Sequence, residues 1–249
     1  MAPAPQDRIA ALEAELAALR AEMQEFTYTV SHDLRAPLRH IVSYAQLVQE
    51  DAGPQLDMEV QGFLATITDS ARHLGVLLDG LAALSRLGTV PVAVTTVPLQ
   101  ALVQDVAAQL GESNPGRSID WRIASDLPPV QADAALLRQA LEHVLGNAVK
   151  FTAPRAQAVV EITAQPGGGE GLLALQVRDN GVGYNPAMQA KLFQVFGRLH
   201  SAKQFDGIGL GLAMTRKIAQ RLGGAVSAHG ELDGGCCITL TLPVAPQSL

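Results

Sequence analysis

Apolar residues recur at Ile9, Leu12, Leu16, Leu19, Met23, Phe26 and Val30, in alternating steps of three and four. This is a heptad seam sustained over about three repeats, the pattern of a helix that pairs with another helix. The seam continues through Leu34, Leu38, Ile41, Ala45 and Val48, and successive steps of four near residue 34 make a stutter that locally unwinds a supercoil. The spacing predicts one helix over residues 6–50, rich in alanine, leucine and glutamate, after an irregular proline-rich start over residues 1–5. Asp51-Ala52-Gly53-Pro54 ends it. Val60, Phe63, Leu64, Ile67, Ala71, Leu74, Leu77, Leu78, Leu81 and Leu84 then predict a second helix over residues 57–87. Two antiparallel amphipathic helices joined by a short loop make a hairpin. One hairpin cannot bury both stripes, so two copies are expected to form a four-helix bundle.

Past residue 87 the pattern changes. Residues 88–97 are β-branched and interrupted by Pro91, which predicts a linker running into the first strand of a second domain. A helix is expected over residues 99–110 with Pro98 just inside its start. Alternation at Ile119-Asp120-Trp121-Arg122-Ile123 predicts a strand. A longer helix follows over residues 132–151. Strands at 159–164 and 172–178 flank the turn Pro166-Gly167-Gly168-Gly169. A short helix near 186–196, a polar loop, a helix over 210–222 and strands near 225–228 and 237–242 complete the chain. Interleaved helices and short strands suggest a two-layer α/β sandwich. The expected domains are an N-terminal coiled-coil helix (1–19), a dimerising hairpin (20–88), a linker (89–97) and the α/β domain (98–249).

Composition narrows the functions open to such a chain. Among 249 residues, 17% are charged and 48% apolar, which is a globular balance. A net charge of −6 with no basic run argues against nucleic acid as a main partner. No apolar stretch approaches the ~20 residues of a membrane span, and no signal peptide opens the chain. Two cysteines, adjacent at 236 and 237, cannot build an ordinary disulfide framework, so a cytoplasmic setting is expected.

The helical seam carries residues that a coiled coil does not need. In Thr29-Val30-Ser31-His32-Asp33-Leu34-Arg35-Ala36-Pro37-Leu38-Arg39, His32 lies two residues past Val30. That is about 200° around the helix, so the imidazole points away from the seam. Pro37 cannot donate to the carbonyl of Asp33, so a bend is expected just beyond the histidine. By spacing alone, a surface histidine on a coiled coil outweighs the reading of a nucleophile. In the second domain three segments are polar where a core would be apolar. Asn147-Ala148-Val149-Lys150 places an amide and an ammonium one turn apart, suited to a metal ion and phosphates or simply to a helix C-terminus. Asp179-Asn180-Gly181-Val182-Gly183 is a turn in which backbone can approach a ring while a carboxylate accepts from an amine. Asp206-Gly207-Ile208-Gly209-Leu210-Gly211-Leu212 offers glycine N–H groups before a helix, where an anion is favoured. It lacks the dinucleotide spacing G-x-G-x-x-G, and no Walker sequence occurs.

The phrase Ser31-His32-Asp33-Leu34-Arg35-Ala36-Pro37-Leu38 closely resembles the phosphoacceptor box of sensor histidine kinases. The three later segments resemble, in order and spacing, the asparagine box and two glycine boxes of the GHKL (Bergerat) ATP-binding domain. Phe193-Gln194-Val195-Phe196-Gly197-Arg198-Leu199-His200 is similar to that family's phenylalanine box and, more loosely, to its phytochrome-like branch. The resemblance extends from about residue 20 to the C-terminus. It implies a transmitter of a two-component system: a dimeric four-helix bundle of hairpins followed by a GHKL sandwich, using ATP and Mg²⁺. It implies that His32 accepts phosphate, that Asp33 orients or deprotonates the imidazole, and that Asn147 coordinates Mg²⁺. Asp179 takes the adenine amino group, with Gly181 and Gly183 in its box. Lys150 with Gly207, Gly209, Gly211 and adjoining Leu212 holds phosphates under a lid of residues 197–206. Phosphate then passes to an aspartate on a response regulator receiver domain.

Departures carry expectations of their own. His143 replaces the first asparagine of N-x-x-x-N. Cys236 stands where a threonine or serine contacts adenine, and Ala36 stands where a threonine or asparagine positions water. The last implies weak phosphatase activity toward the regulator. A separate sensor protein or a preceding sensor domain is expected to supply the signal. A GHKL ATPase or serine kinase would keep the nucleotide segments without the His32 phrase, and a dimeric adaptor would keep only the seam.

Overall fold

The computed structural model describes residues 5–201 and 203–245; of the irregular start expected over residues 1–5, residues 1–4 lie outside the described residues, and Pro5 already opens the first helix. The chain divides into two compact units, Met1–Val90 and Pro91–Leu249.

The first unit is a helical hairpin. Helix α1 (Pro5–Ala52) runs unbroken through Pro37 for 48 residues. A single 3-10 turn at Gly53–Gln55 follows, then α2 (Met58–Arg86), which is capped by the Asp57 carboxylate accepting from Val60 N–H at 2.8 Å. The helices are antiparallel: Ser85 Oγ donates to Gln24 O at 3.3 Å near one end, and Leu38 packs with Ala71 and Leu78 further along. Up to Ser31 the line of α1 that meets α2 lies about one residue beside the apolar seam; beyond it the two share Leu38 and Ala45, both buried. Ser31 is fully buried there and donates to Thr27 O at 2.7 Å, while Val42 packs on the Leu38 cluster. The earlier part of the seam stays open within one chain: Ile9 and Leu12 are each 57% exposed, Met23 65% and Phe26 64%.

The second unit is a two-layer sandwich. Its five-stranded sheet has the order β2–β4–β5–β7–β6, built from β2 (Ile119–Ile123), β4 (Ala158–Pro166), β5 (Leu172–Asp179), β6 (Ala225–Glu231) and β7 (Gly235–Pro243). Only the β2–β4 pair is parallel. A separate two-stranded ribbon pairs β1 (Thr95–Val97) with β3 (Val130–Ala132). Alternation sends Val160, Ile162, Leu175, Val177, Ile238, Leu240 and Leu242 to one face, all nearly sealed from solvent. Helices α3 (Leu99–Glu112), α4 (Ala134–Phe151) and α5 (Gly211–Arg221) cover that face. Glu161, Arg178, Ser227 and His229 lie on the other, exposed face.

Several elements differ from expectation for local reasons. Pro98 is the N-cap of α3 rather than its first residue. Residues 130–132 belong to a strand, and α4 starts at Ala134 because the Asp133 carboxylate accepts from Ala135 and Leu136 N–H. The element after Pro186 is a 3-10 turn ending at Lys191, short of the predicted 196. Phe196 has φ 61°, which no helix continues through.

Candidate functional site

His32 and Asp33 belong to the first unit and the remaining predicted site residues to the second. The imidazole of His32 is 66% exposed, and its Nδ1 lies 3.1 Å from Asp33 Oδ1. An ionised carboxylate only accepts, so this contact puts the proton on Nδ1 and leaves the Nε2 lone pair facing outward. The Tyr28 ring, one turn earlier, lies nearly parallel to the imidazole at 6.4 Å. Arg35 is drawn off the other way, with Nε and Nη2 donating to Asp79 Oδ1 at 3.0 and 2.9 Å. The arrangement is that of an orientated, accessible nitrogen nucleophile.

In the second unit, Asp179 ends β5 and is only 7% exposed. Its partner across β7 is Cys236, whose partner across β6 is Gly230. The three share the helix-covered face, and the Tyr184 ring fills the place that a side chain at Gly230 would take. Burial pushes the Asp179 carboxyl up to about 6, against opposing pulls from the Gly181 and Cys236 N–H groups and Arg155. Its Oδ1 accepts from Gly181 N–H at 2.8 Å and Cys236 N–H at 3.3 Å, leaving Oδ2 as the open acceptor. Gly183, at φ 58°, sits so close to the carbonyls of Glu231 and Gly235 that a Cβ has no place.

Gly207 and Gly211, the latter opening α5, face α4, whereas Gly209 packs on the Phe196–Gly197 backbone. A side chain at Gly207 would meet Lys150 Nζ at 3.4 Å, and one at Gly211 would meet the His143 ring at 3.4 Å. Lys150 sits over the Phe151 ring at 4.5 Å, and burial, then the Arg198 charge, lower its pKa while Asp206 opposes them. Arg198 donates to the carbonyls of Phe205 and Gly207. Phe151, His200 and Phe205 make a ring cluster with centroids 5.0–5.4 Å apart, and His200 Nε2 reaches Gly183 O at 2.9 Å. Leu212 falls in the first turn of α5 and Asn147 one turn before Lys150 on α4. Thus Asn147 and Lys150, the Asp179 turn, and the glycines from 207 to 211 converge on one end of the sandwich.

These residues fit a nucleotide. A buried carboxylate with a free acceptor suits an amino group, and glycines with no Cβ beside an ammonium suit phosphates. No cluster of three or more His, Cys, Asp or Glu side chains able to hold a metal occurs among the described residues. The Asn147 amide offers an oxygen of the kind that a phosphate-bound cation takes. His143 stands at the same end with its Nε2 buried and unpartnered, and burial lowers its pKa. Sequence reasoning did not single out Arg155, which bonds three main-chain carbonyls, nor the Phe151–His200–Phe205 cluster.

The hairpin carries an exposed, acid-paired histidine, and the sandwich gathers glycines, an ammonium and a buried carboxylate at one end: the makings of a phosphoacceptor and of a nucleotide site. Residues 22–89 match the His Kinase A (phospho-acceptor) domain, and residues 132–246 match the histidine kinase-, DNA gyrase B-, and HSP90-like ATPase family. The chain belongs to the sensor histidine kinases and carries their transmitter region. It is 29% identical over 240 residues to cyanobacterial phytochrome A of Nostoc sp., covering 96% of this chain and 31% of that protein. It is 32% identical over 238 residues to the methanogenesis regulatory histidine kinase FilI of Methanothrix harundinacea, covering 96% and 26%. Full-length ShkA, solved in complex with AMPPNP, superposes with a TM-score of 0.63 at 30% identity, over 90% of this chain and 47% of that one. The chain thus spans between a quarter and a third of these two curated relatives.

Proposed function

We propose that this chain phosphorylates itself on His32 from ATP and passes the phosphate to an aspartate on a response regulator receiver domain. The observation that carries the reading is the 3.1 Å contact between His32 Nδ1 and Asp33 Oδ1 on an open helix face. With Nδ1 protonated, the Nε2 lone pair attacks the γ-phosphorus, the bond to the β,γ-bridging oxygen breaks, and ADP leaves. The imidazole becomes cationic, and Asp33 stabilises it through the Nδ1 proton. Asp179 Oδ2 accepts from the adenine amino group, with Gly181 and Gly183 letting backbone approach the ring. Lys150 and the N–H groups around Gly207, Gly209, Gly211 and Leu212 hold the phosphates. Asn147 is the side chain that would hold Mg²⁺, whose chemistry is to neutralise phosphate charge.

The open apolar seam of α1, including Met23 and Phe26, supports homodimerisation through paired hairpins. No helix among the described residues is long and apolar enough to cross a membrane. Incubation with γ-labelled ATP and Mg²⁺ tests the reading. His32→Gln should abolish labelling while ADP still binds, and the wild-type label should be lost in acid and survive base. Labelling that persists in the variant, or that survives acid as phosphoserine does, would overturn it.

A further inference from the structure

Arg155 lies in the connection between α4 and β4, outside every segment that the recognised motifs cover. Its Nε donates to Asn180 O at 2.8 Å, and its Nη2 donates to Gly181 O and Asp233 O, both at 2.9 Å. The same Nη2 lies 3.5 Å from Asp233 Oδ1. One planar fork therefore joins the turn after β5 to the turn between β6 and β7. Those two turns are where Asp179 finds its partners: Gly181 N–H comes from the first, and Cys236 N–H follows the second. The second turn is held in an uncommon shape, with Asp233 at φ 59° and its N–H donating to Val182 O at 2.8 Å. Asn180 is fastened separately to β4, accepting from Val159 N–H and donating to Gln157 O.

We propose that Arg155 is a positioning residue for nucleotide binding: by tying the carbonyls of Asn180, Gly181 and Asp233 together, it fixes the two N–H groups that orient the Asp179 carboxylate toward the base. The inference rests on the reading of Asp179 as the acceptor for the purine amino group. Arg155 is 31% exposed, so water can satisfy the three carbonyls once the guanidinium is gone. Its removal therefore acts on the orientation of Asp179 more than on the fold. Around that carboxylate the charged and titratable groups are Arg155 from the α4–β4 connection and Cys236 from β7, with Tyr184 and Cys237 next to Cys236. Loss of the guanidinium removes one favourable charge and loosens both N–H donors.

The test uses the full chain with carbon-labelled aspartate carboxyls, the Asp179 signal being assigned with Asp179→Asn. Arg155→Ala should raise the titration midpoint of Asp179 and weaken ADP binding by about tenfold, the scale of losing a group that orients a ligand-binding side chain. Arg155→Lys should move both readouts in the same direction, because one ammonium cannot span two turns as the fork does. It decides the matter if the alanine variant does not fold. Both readouts must move: an unmoved midpoint, with or without weaker ADP binding, marks a merely structural arginine and overturns the proposal. So does a moved midpoint with unchanged affinity. If the unaltered chain does not bind ADP, the reading of the whole site falls with it. ADP binding that tolerates both variants overturns this inference alone.

Discussion

Asp179→Asn separates two consequences of one buried carboxylate. Oδ1 is already engaged by Gly181 N–H at 2.8 Å and Cys236 N–H at 3.3 Å, so Oδ2 is the oxygen left for a purine amino group. Asparagine offers one accepting end and one donating end. If its oxygen stays on the two N–H groups, its NH₂ meets the purine amine donor to donor. If it turns over, the NH₂ faces Gly181 and Cys236 instead. Either way a charge-assisted bond is lost, worth about 1.5–3 kcal/mol. ADP should then bind roughly 10- to 150-fold more weakly.

Stability should move the other way. Burial, partly offset by the two N–H groups and Arg155, pushes the Asp179 carboxyl from 3.8 up to about 6. The folded chain holds that proton more tightly than the unfolded chain. Its contribution to stability is therefore full below pH 3.8 and lost as the pH rises through about 6. Above that window the ionised group burdens the folded state by up to about 3 kcal/mol, at about 1.4 kcal/mol per pH unit. Trp121, the chain's one tryptophan, lies on β2 in the same unit, so its fluorescence follows unfolding there. At about pH 8 the variant should melt no lower than wild type, and the advantage should shrink to about a third near pH 4.5 and vanish only below pH 3.8. Unchanged ADP affinity by calorimetry, or a variant that loses stability at pH ~8 and regains it at pH ~4.5, would refute the reasoning.

Other perturbations probe separate parts of the chain. Leu38→Ala empties the Ala71–Leu78–Val42 contact and should cost the hairpin about 2–4 kcal/mol, read from its helical circular dichroism on heating. Gly183→Ala forces a side chain into φ 58° against the Glu231 and Gly235 carbonyls. Strain of at least about 1–2 kcal/mol should lower the melting point and abolish the thermal shift given by ADP. Burial, then the charges of Asp179 and Cys237, push the Cys236 thiol up to about 12. In a Cys237→Ser background, iodoacetamide at pH ~8 should alkylate it more than about a thousandfold slower than in the urea-unfolded chain.

What was legible in the sequence depends on whether a side chain acts for itself. The helices of the hairpin and the strand Ile119–Ile123 followed from apolar spacing, because burial selects residue type directly. The line along which the first part of α1 meets α2 did not. Buried Ser31 satisfies its hydroxyl on Thr27 O within its own helix, so a polar letter occupies a core position without penalty. The strand Val130–Ala132 is too short to show a period, and its existence depends on pairing with residues 95–97. Asp179, Gly181 and Gly183 stood out because a carboxylate after an apolar strand and glycines in a turn are unusual letters. Arg155 did not, although it bonds the same turn. Its partners are carbonyl oxygens 25, 26 and 78 residues away, and every residue type carries a carbonyl. A side chain whose work is to hold backbone leaves no complementary residue to find, so the parts of such a site that orient its functional groups become visible only once the chain is folded.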